Sequence, residues 1–382
     1  MDMNILHINC NYAGTMLHRY MIGKLNELGV KSCIYVPVYR TKGKDVSTPG
    51  SEVILSACFK KWHRFVYRYK QSRILKDIMN KCDISAYEII HAYTVFTDGN
   101  VAYNLSRRYN IPYVVAVRST DVNAFFKTMP HLRKRGVRIL RNASKIFFLS
   151  ESYQKIVLEK YVPKDLHEEI LQKSYIIPNG IDDFWLDNIY KQKIETLEET
   201  KIRLGEKKLR VCFAGLINNR KNPIATQEAL KILRNKGWNI TYTAVGKTEN
   251  SRLLKKMCEY PDTVYIEKQP KENLLKIYRE NDLFVMPSLH ETFGLVYAEA
   301  MSQGLPVLYT KNQGFDGQFA EGLVGCSIDP CKPENIAQKI EWVTQHYDEM
   351  TANALKVVSC FCWSDICKRY KTYYEEVIGK EE

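Results

Sequence analysis

Apolar and β-branched residues in this chain come in short runs, and longer segments with an apolar residue every three to four positions separate them. The short runs predict buried strands and the longer segments predict amphipathic helices. In the first half the predicted strands lie at residues 4–10, 32–38, 52–57, 88–93, 113–118, 145–150 and 174–179. In the second half they lie at residues 210–215, 240–246, 263–268, 282–288 and 306–310. Strands that alternate with helices form parallel sheets covered on both faces, so the pattern predicts two doubly wound α/β domains and a cleft between them.

The alternation breaks at IPNGIDDFW, residues 177–185, where Pro, Asn and Gly interrupt the pattern and a charged, helix-prone connector follows. We therefore predict one domain over residues 1–180, a hinge and connector over 181–208, and a second domain over 209–360. The last segment, 361–382, has Ile366, Tyr370, Tyr373 and Tyr374 at helical spacing. This spacing predicts a helix that packs back on one of the two domains, the N-terminal domain included.

The charge distribution and the cysteine spacing indicate what kind of partner and which cofactors the protein would have. The net charge is +13, and residues 1–180 carry 28 Lys and Arg against 14 Asp and Glu, so the first domain holds the whole excess. This one-sided charge predicts an anionic partner for that domain. The 11 cysteines are scattered without metal-ligand spacing, and no apolar run approaches the ~20 residues of a membrane span. We expect reduced thiols, no metal and a cytoplasmic protein.

The stretch PSLHETFGLVYAEAMSQGLPV, residues 287–307, places two acids around a predicted helix start. Glu291 lies in the loop after a buried strand, and Glu299 lies more than one turn into the helix. A helix start offers free N–H groups and partial positive charge to a phosphate, and Gly294 allows a close backbone approach. Two acids around a phosphate site indicate a sugar nucleotide, with one acid for each sugar ring. The alternative is that both are ordinary solvated acids.

At these residues the chain resembles the family 4 retaining glycosyltransferases. The resemblance includes Pro287, Glu291, Gly294, Glu299 and Pro306, and it extends to IIHAYTVFTDGNVAY (89–103), IPYVVAVRSTDV (111–122), IIPNGID (176–182) and FAGLINNRKNP (213–223). It implies the GT-B fold, in which two Rossmann-like domains face each other across a cleft. The N-terminal domain would bind the acceptor and the C-terminal domain would bind the donor.

The resemblance also implies roles for residues of the second domain. Glu291 would contact hydroxyls of the transferred sugar, and Glu299 would hold the ribose of the nucleotide. The backbone amides of Phe293, Gly294 and Leu295 would face the sugar and the diphosphate. No cofactor or metal is implied, and the Asp182–Asp183 pair is interpreted as part of the linker.

Three departures from the family pattern concern basic and glycine residues. Lys221 matches the family's lysine near the diphosphate, but Leu216 occupies the arginine position, which leaves Arg220 as a candidate replacement. Arg118 stands where many relatives have a histidine; it could clamp a phosphate or a hydroxyl, or simply pair with Asp121. Gly14 is the lone glycine of a first loop that is often glycine-rich. Lys221 itself could instead be a surface residue before a helix that begins at Pro223.

The stretch FKKWHRFVYRYKQSRILK, residues 59–76, has seven Lys and Arg and no acid. Helical spacing would align Phe59, Trp62, Val66 and Tyr69 in one stripe flanked by cations. Such a helix suits an anionic membrane surface; the alternative is that the stripe is packed in the core. The candidate membrane-binding residues are Lys60, Lys61, Trp62, Arg64 and Arg68.

The sequence therefore predicts a retaining, metal-independent glycosyltransferase. Its donor would be a nucleotide sugar, with UDP as the expected base, and its acceptor a lipid-linked or saccharide molecule in cell-surface polysaccharide or glycolipid synthesis. We expect peripheral association with the cytosolic membrane face and no nucleic acid partner. The alternatives are a sugar-nucleotide epimerase or phosphorylase of the same fold, and a non-catalytic membrane or nucleic-acid binding protein.

Overall fold

The computed structural model describes residues 3–41 and 46–379, with the side chain of Arg64 excepted. The chain forms two compact units. The first comprises Met1–Gly180 and Trp363–Glu382, and the second comprises Ile181–Cys362. Each unit is built around its own parallel sheet with helices between successive strands.

The sheet of the first unit has seven parallel strands in the order β3-β2-β1-β4-β5-β6-β7. The strands are β1 Met3–Ile8, β2 Val30–Pro37, β3 Ser51–Ser56, β4 Ile89–Ala92, β5 Tyr113–Val117, β6 Lys145–Phe148 and β7 Ser174–Ile176. The helices are α1 Leu17–Glu27, α2 Tyr67–Lys81, α3 Asn100–Tyr109, α4 Pro130–Asn142, α5 Glu151–Tyr161 and α6 His167–Leu171. The strand order reverses direction at β1, which has β2 on one side and β4 on the other.

The sheet of the second unit has six parallel strands in the order β10-β9-β8-β11-β12-β13. The strands are β8 Lys208–Ala214, β9 Asn239–Val245, β10 Thr263–Ile266, β11 Leu283–Val285, β12 Val307–Thr310 and β13 Gly325–Ile328. The helices are α7 Asp183–Asp187, α8 Leu197–Gly205, α9 Pro223–Asn235, α10 Ser251–Cys258, α11 Lys271–Arg279, α12 Leu295–Ser302, α13 Pro333–Gln345 and α14 Tyr347–Val357. Here the order reverses at β8, which lies between β9 and β11.

The last helix, α15 Trp363–Ile378, returns the chain to the first unit. Its Trp363, Ile366 and Tyr370 are buried in the core of that unit together with residues of β1, β2 and α1. The chain leaves the first unit after Gly180, where an added Cβ would lie 2.5 Å from the Trp363 ring. The aromatic spacing seen in the sequence is therefore the face by which this helix is buried. Residues 380–382 of the predicted segment lie outside the described residues.

Local sequence signals account for several helix boundaries. Ser150 and Asn250 are the N-cap residues directly before α5 and α10, and their side chains accept the amide hydrogens of Tyr153 (3.3 Å) and Leu253 (3.1 Å). Such caps satisfy amides that have no partner within the first helical turn. Asn110 ends α3 in the left-handed conformation, which asparagine tolerates better than most residues.

Two sequence predictions are wrong in detail. The stretch 59–76 is not one helix: a 3₁₀ turn at Lys61–Phe65 precedes α2, and Val66 between them has φ −117° and ψ 77°. No proline or glycine marks this break, so helical spacing alone suggested continuity. The strand β13 was missed because its residues, Gly325–Ile328, include glycine and serine in a run of only four. The remaining predicted strands overlap observed ones.

Within residues 3–41 and 46–379, no helix is both long and apolar enough to cross a bilayer.

The packing of α15 can be tested through Tyr374, whose hydroxyl lies 2.7 Å from Nδ1 of the buried His91. Tyr374→Phe leaves that nitrogen without a partner, which should lower the free energy of unfolding by about 1–3 kcal/mol. Tyr373→Phe on the same helix is the control, because the Tyr373 hydroxyl makes no hydrogen bond within the described residues. The measurement is the urea midpoint by circular dichroism, and equal losses in both variants would contradict the assigned hydrogen bond.

Candidate active site

The second unit places two loops side by side at the reversal point of its sheet. One loop follows β8 and leads to α9, and the other follows β11 and leads to α12. The amide of Leu289 donates to the carbonyl of Arg220 (2.8 Å), which ties the two loops together. Ligands of open α/β sheets bind beyond the carboxyl ends of the strands at such a point. The predicted donor-site residues of this domain lie on these loops and on α12.

Lys221 and Glu291 form a buried ion pair between the two loops, and both side chains are about nine-tenths buried. The Glu291 carboxylate also accepts the Ser288 hydroxyl (3.2 Å) and the Thr292 amide (3.0 Å). The amide of Glu291 donates to the side chain of Gln313 (3.0 Å), which fixes the loop from a third side. A buried charge is tolerated when it is paired and hydrogen-bonded, and this pair meets both conditions.

Arg220 and Leu216 differ in what they contribute. The exposed Arg220 side chain donates to the carbonyl of His290 (2.9 Å), so it braces the loop that carries Glu291. Leu216, at the family's arginine position, lies on the wall of a pocket at the end of β8. The replacement of the family's arginine by Arg220 is not tested by these contacts and stays a prediction.

Gly294 precedes α12 with φ +80°, a conformation that favours glycine. A Cβ at this position would lie 2.4 Å from the Tyr297 ring. The Phe293 side chain packs on Phe315 and Phe361, so only its backbone is available to a ligand. The amides of Phe293, Gly294 and Leu295 donate no hydrogen bond within the described part of the chain. They are free donors at the positive end of a helix.

A pocket of about 340 Å³ lies at the carboxyl ends of β8, β9 and β10 and reaches Val296 of α12. Its walls are mainly apolar, and the polar residues Lys247, Lys268 and Gln269 also line it. Gly246 is required here, because an added Cβ would lie 1.7 Å from the carbonyl oxygen of Gly215. The sequence patterns did not single out Lys247, Lys268 and Gln269 as site residues. Their position at the carboxyl ends of two predicted strands, 240–246 and 263–268, is the signal that could have identified them.

Glu299 lies on α12 one turn beyond its start and is partly buried. The pKa of its carboxyl group is raised from 4.5 to about 7, mainly by burial and also by the charge of Asp182, while Lys271 opposes the shift. Asp182 pairs with Lys271 and accepts the Phe184 amide (3.0 Å) at the start of α7. No residue in the described ranges donates a hydrogen bond to the Glu299 carboxylate. Its carboxylate oxygens therefore remain available to accept hydrogen bonds from a ligand.

Gly14 and Arg118 lie in the first unit, at the carboxyl ends of β1 and β5. Gly14 ends a 3₁₀ turn, Tyr12–Gly14, and has open space around its Cα. The guanidinium of Arg118 donates to the side chain of Asn179 (3.0 Å), and its backbone amide donates to Asp121 (3.0 Å). The Arg118–Asp121 contact is thus made by the backbone, and the role of Arg118 toward a substrate stays a prediction.

An aromatic–cationic surface lies on the first unit between residues 60 and 69. Its described side chains are Lys60, Lys61, Trp62, Phe65, Val66, Arg68 and Tyr69, and the Arg64 side chain lies outside the described part. Trp62, Phe65, Val66 and Tyr69 are 55%, 78%, 46% and 47% exposed, so these four are not core. The rings of Trp62 and Tyr69 stack at 6.3 Å across the break before α2. Exposed apolar patches are common at interaction sites, so this surface is a candidate for one.

The described residues contain no group of three or more His, Cys, Asp or Glu side chains arranged to hold a metal ion. The absence of a metal requirement stays a prediction.

Each of the two units contains an all-parallel α/β sheet, and comparison with solved structures shows that the chain has the GT-B fold of glycosyltransferases. Anabaena HepE in complex with UDP-glucose matches 97% of this chain and 98% of its own, with a TM-score of 0.65 and 17% identity. This likeness concerns the fold alone.

Sequence comparison identifies the family domain. Residues 195–356, which lie in the second unit, match the model described as glycosyl transferases group 1. An uncharacterized glycosyltransferase of Methanocaldococcus jannaschii is 25% identical over 318 residues, 78% of each chain. A capsular polysaccharide biosynthesis glycosyltransferase of Staphylococcus aureus is 26% identical over 62% of this chain and 64% of its own length. The predicted class and fold are confirmed, and membership of family 4 stays a prediction.

The raised pKa of Glu299 should make the stability of the protein depend on pH. Between its ordinary pKa of 4.5 and the raised value of about 7, the folded state binds more protons than the unfolded state. Stability therefore falls as pH rises through this window. Glu299→Gln should raise the free energy of unfolding at about pH 8 by roughly 1–3 kcal/mol, and the gain should shrink toward about pH 5.

The control for this prediction is Glu272→Gln, which changes an exposed acid on the neighbouring α11. Melting temperatures of the ligand-free protein across that pH range are the measurement. A pH-independent effect, or an equal effect of both variants, would contradict the raised pKa.

Proposed function

We propose that this glycosyltransferase moves a sugar from a UDP-sugar to a membrane-associated acceptor, with retention of configuration and without a metal ion. The observation that carries the proposal is the buried Lys221–Glu291 pair, whose Glu291 lies on the loop that leads into the free amides at the start of α12. A cation, a carboxylate and unpaired amides at one sheet edge suit a ligand that combines phosphates with sugar hydroxyls. The 340 Å³ pocket beside Val296 would take the base.

In this proposal the donor diphosphate lies at the start of α12. The amides of Phe293, Gly294 and Leu295 donate to its oxygens, and Lys221 neutralises the charge that grows as the diphosphate departs. This stabilisation takes the place of a metal ion. Glu291 accepts hydrogen bonds from the transferred sugar, and Glu299 accepts them from the ribose, which uses acceptor oxygens that the described chain leaves unoccupied.

Retention follows if the acceptor attacks from the face that the diphosphate leaves. A positively charged sugar centre forms as the bond to the leaving oxygen breaks, and the departing phosphate oxygen takes the acceptor's proton. No side chain then has to become a covalent nucleophile. Catalysis is mainly positional and electrostatic, as expected for a site made of fixed amides and one cation.

UDP is proposed as the nucleotide because the Anabaena protein with this fold binds UDP-glucose. Surface polysaccharide or glycolipid synthesis is proposed because the Staphylococcus aureus relative acts in capsular polysaccharide biosynthesis. The aromatic–cationic surface supports a membrane-associated acceptor, since each cation near an anionic surface adds about 1 kcal/mol to binding. The protein would act at the cytosolic face of the membrane.

Glu291→Ala and Lys221→Ala are each expected to lower kcat/KM at least about 100-fold, or about 2.7 kcal/mol of barrier. The measurement is nucleotide release from a panel of UDP-, GDP- and ADP-sugars. Lys236→Ala, which removes an exposed cation paired with Glu341 in the same unit, is the control and should leave turnover unchanged. A loss below about tenfold for both site variants would contradict the roles assigned here.

Each single variant also leaves one buried charge without its partner, which destabilises the protein. The double variant Lys221→Met/Glu291→Gln removes both charges and should regain thermal stability while turnover stays low. Recovery of turnover would mean that the pair is structural only. Interconversion of donor sugars without nucleotide release would indicate an epimerase. Formation of a sugar phosphate from free phosphate would indicate a phosphorylase. If no donor is consumed, the protein is a binding protein.

Membrane binding by the aromatic–cationic surface can be tested separately. Replacing Lys60, Lys61 and Arg68 with Gln and Trp62 with Ala should abolish co-flotation with phosphatidylglycerol vesicles, because both the charge and the aromatic anchor are removed. The matched control replaces Lys155, Lys160 and Lys164, three cations elsewhere on the first unit, with Gln. Undiminished flotation of the first variant would refute the role of the aromatic–cationic surface in membrane binding. Binding to neutral vesicles should be weak for the unchanged protein and for both variants.

A further inference from the structure

The first unit has its own pocket, of about 290 Å³, at the carboxyl ends of β1, β2, β4 and β5. This is the reversal point of the seven-stranded sheet, where β1 lies between β2 and β4. Ligands of doubly wound sheets bind at such points. The residues that matter for its chemistry are Tyr39, Phe59, Lys70, Thr97, Thr120 and Phe125.

Lys70 gives the pocket a positive charge that no carboxylate balances within 4 Å among the described residues. Its ammonium group lies 4.6 Å from the centre of the Phe59 ring, so the aromatic face supports the cation on one side. Asp121 also lines the pocket, but its oxygens accept the amides of Phe96 (3.2 Å) and Arg118 (3.0 Å). An anionic ligand would therefore supply the missing partner of Lys70.

The remaining lining suits a sugar. The hydroxyl of the buried Thr97 makes no hydrogen bond within the described residues, and Thr120 adds a second, exposed hydroxyl. Hydroxyls such as these can donate to and accept from a sugar's own hydroxyls. Tyr39 and Phe125 add aromatic rings against which the C–H face of a sugar ring can pack. A cation, free hydroxyls and aromatic walls together match a saccharide with an acidic group.

The pocket is continuous with the aromatic–cationic surface along the chain. Phe59 immediately precedes the surface segment 60–69, and Lys70 immediately follows it, so both ends of that segment line the pocket. A molecule held in the bilayer by its lipid could therefore present its head to the pocket while the protein rests on the membrane.

We propose that this pocket binds the phosphate-bearing saccharide head of a lipid-anchored acceptor, with Lys70 on the phosphate and Thr97 on a sugar hydroxyl. This assignment rests on the proposed transferase function and specifies its acceptor class.

The test uses phosphatidylcholine vesicles of equal surface charge, so that general attraction to an anionic membrane is the same in both sets. One set carries a glucosyl phosphodiester of a long-chain alcohol; the other carries the corresponding alkyl glucoside without phosphate and an equal amount of phosphatidylglycerol, and co-flotation of the full-length protein is measured. The unchanged protein should bind the phosphate-bearing lipid at least about tenfold more tightly, the gain expected of one charge-assisted hydrogen bond. Equal binding of both lipids would overturn the proposal.

Lys70→Met, which keeps an unbranched side chain beside Phe59, should abolish the preference for phosphate, and Lys70→Arg should keep it. Lys76→Met on the exposed side of the same helix is the control and should behave as the unchanged protein does. Thr97→Val should weaken binding of both lipids alike, because it removes a sugar contact and no charge. A phosphate preference that survives Lys70→Met, or unaltered binding after Thr97→Val, would overturn the assignment.

A third arm separates a lipid-anchored acceptor from a soluble one. Free glucose 1-phosphate should bind far more weakly than the vesicle-held lipid, since it lacks the contribution of the membrane surface. Binding of equal strength that depends on Lys70 would overturn the lipid-anchored part of the proposal. No arm contains a donor, whereas nucleotide release tests the transferase itself, so failure of one proposal can be told from failure of the other.

Discussion

The ion pair between Lys221 and Glu291 is the interaction on which the second unit's site depends. It joins the loop after β8 to the loop after β11, and the second loop leads directly into α12. Each charge is buried, so each is stable only through the other and through the hydroxyl and amide that the carboxylate accepts. The pair therefore fixes where the free amides near Gly294 point, and it keeps a cation and an acid available at one place.

Both units use the same construction. In each sheet the strand order reverses at one strand, and the loops that leave the carboxyl ends on either side separate to leave a concave space. The lining then decides the chemistry. In the second unit the loops bring an ion pair, free helix amides and a mainly apolar pocket, whereas in the first unit they bring hydroxyls, aromatic rings and the cation Lys70.

Much of the second unit's site was accessible to sequence reasoning because its signals are local. A buried strand, a short loop with Glu291, a glycine and a helix follow one another within about a dozen residues, and each step has a known conformational preference. The break at Val66 had no such signal, since neither proline nor glycine stands there. The strand β13 was missed for a related reason: four residues with a glycine and a serine carry little periodicity.

The amino-acid sequence by itself determined the α/β class, the two-domain organisation, the positive charge of the first 180 residues and the acids and glycine around α12. These follow from periodicity, composition and local turn chemistry. Only the tertiary structure decided that Lys221 and Glu291 touch, that α15 is buried in the first unit, and that Phe59 and Lys70 meet across one pocket. Partners 70 residues apart, as in the ion pair, are brought together by strand order, which no local pattern encodes.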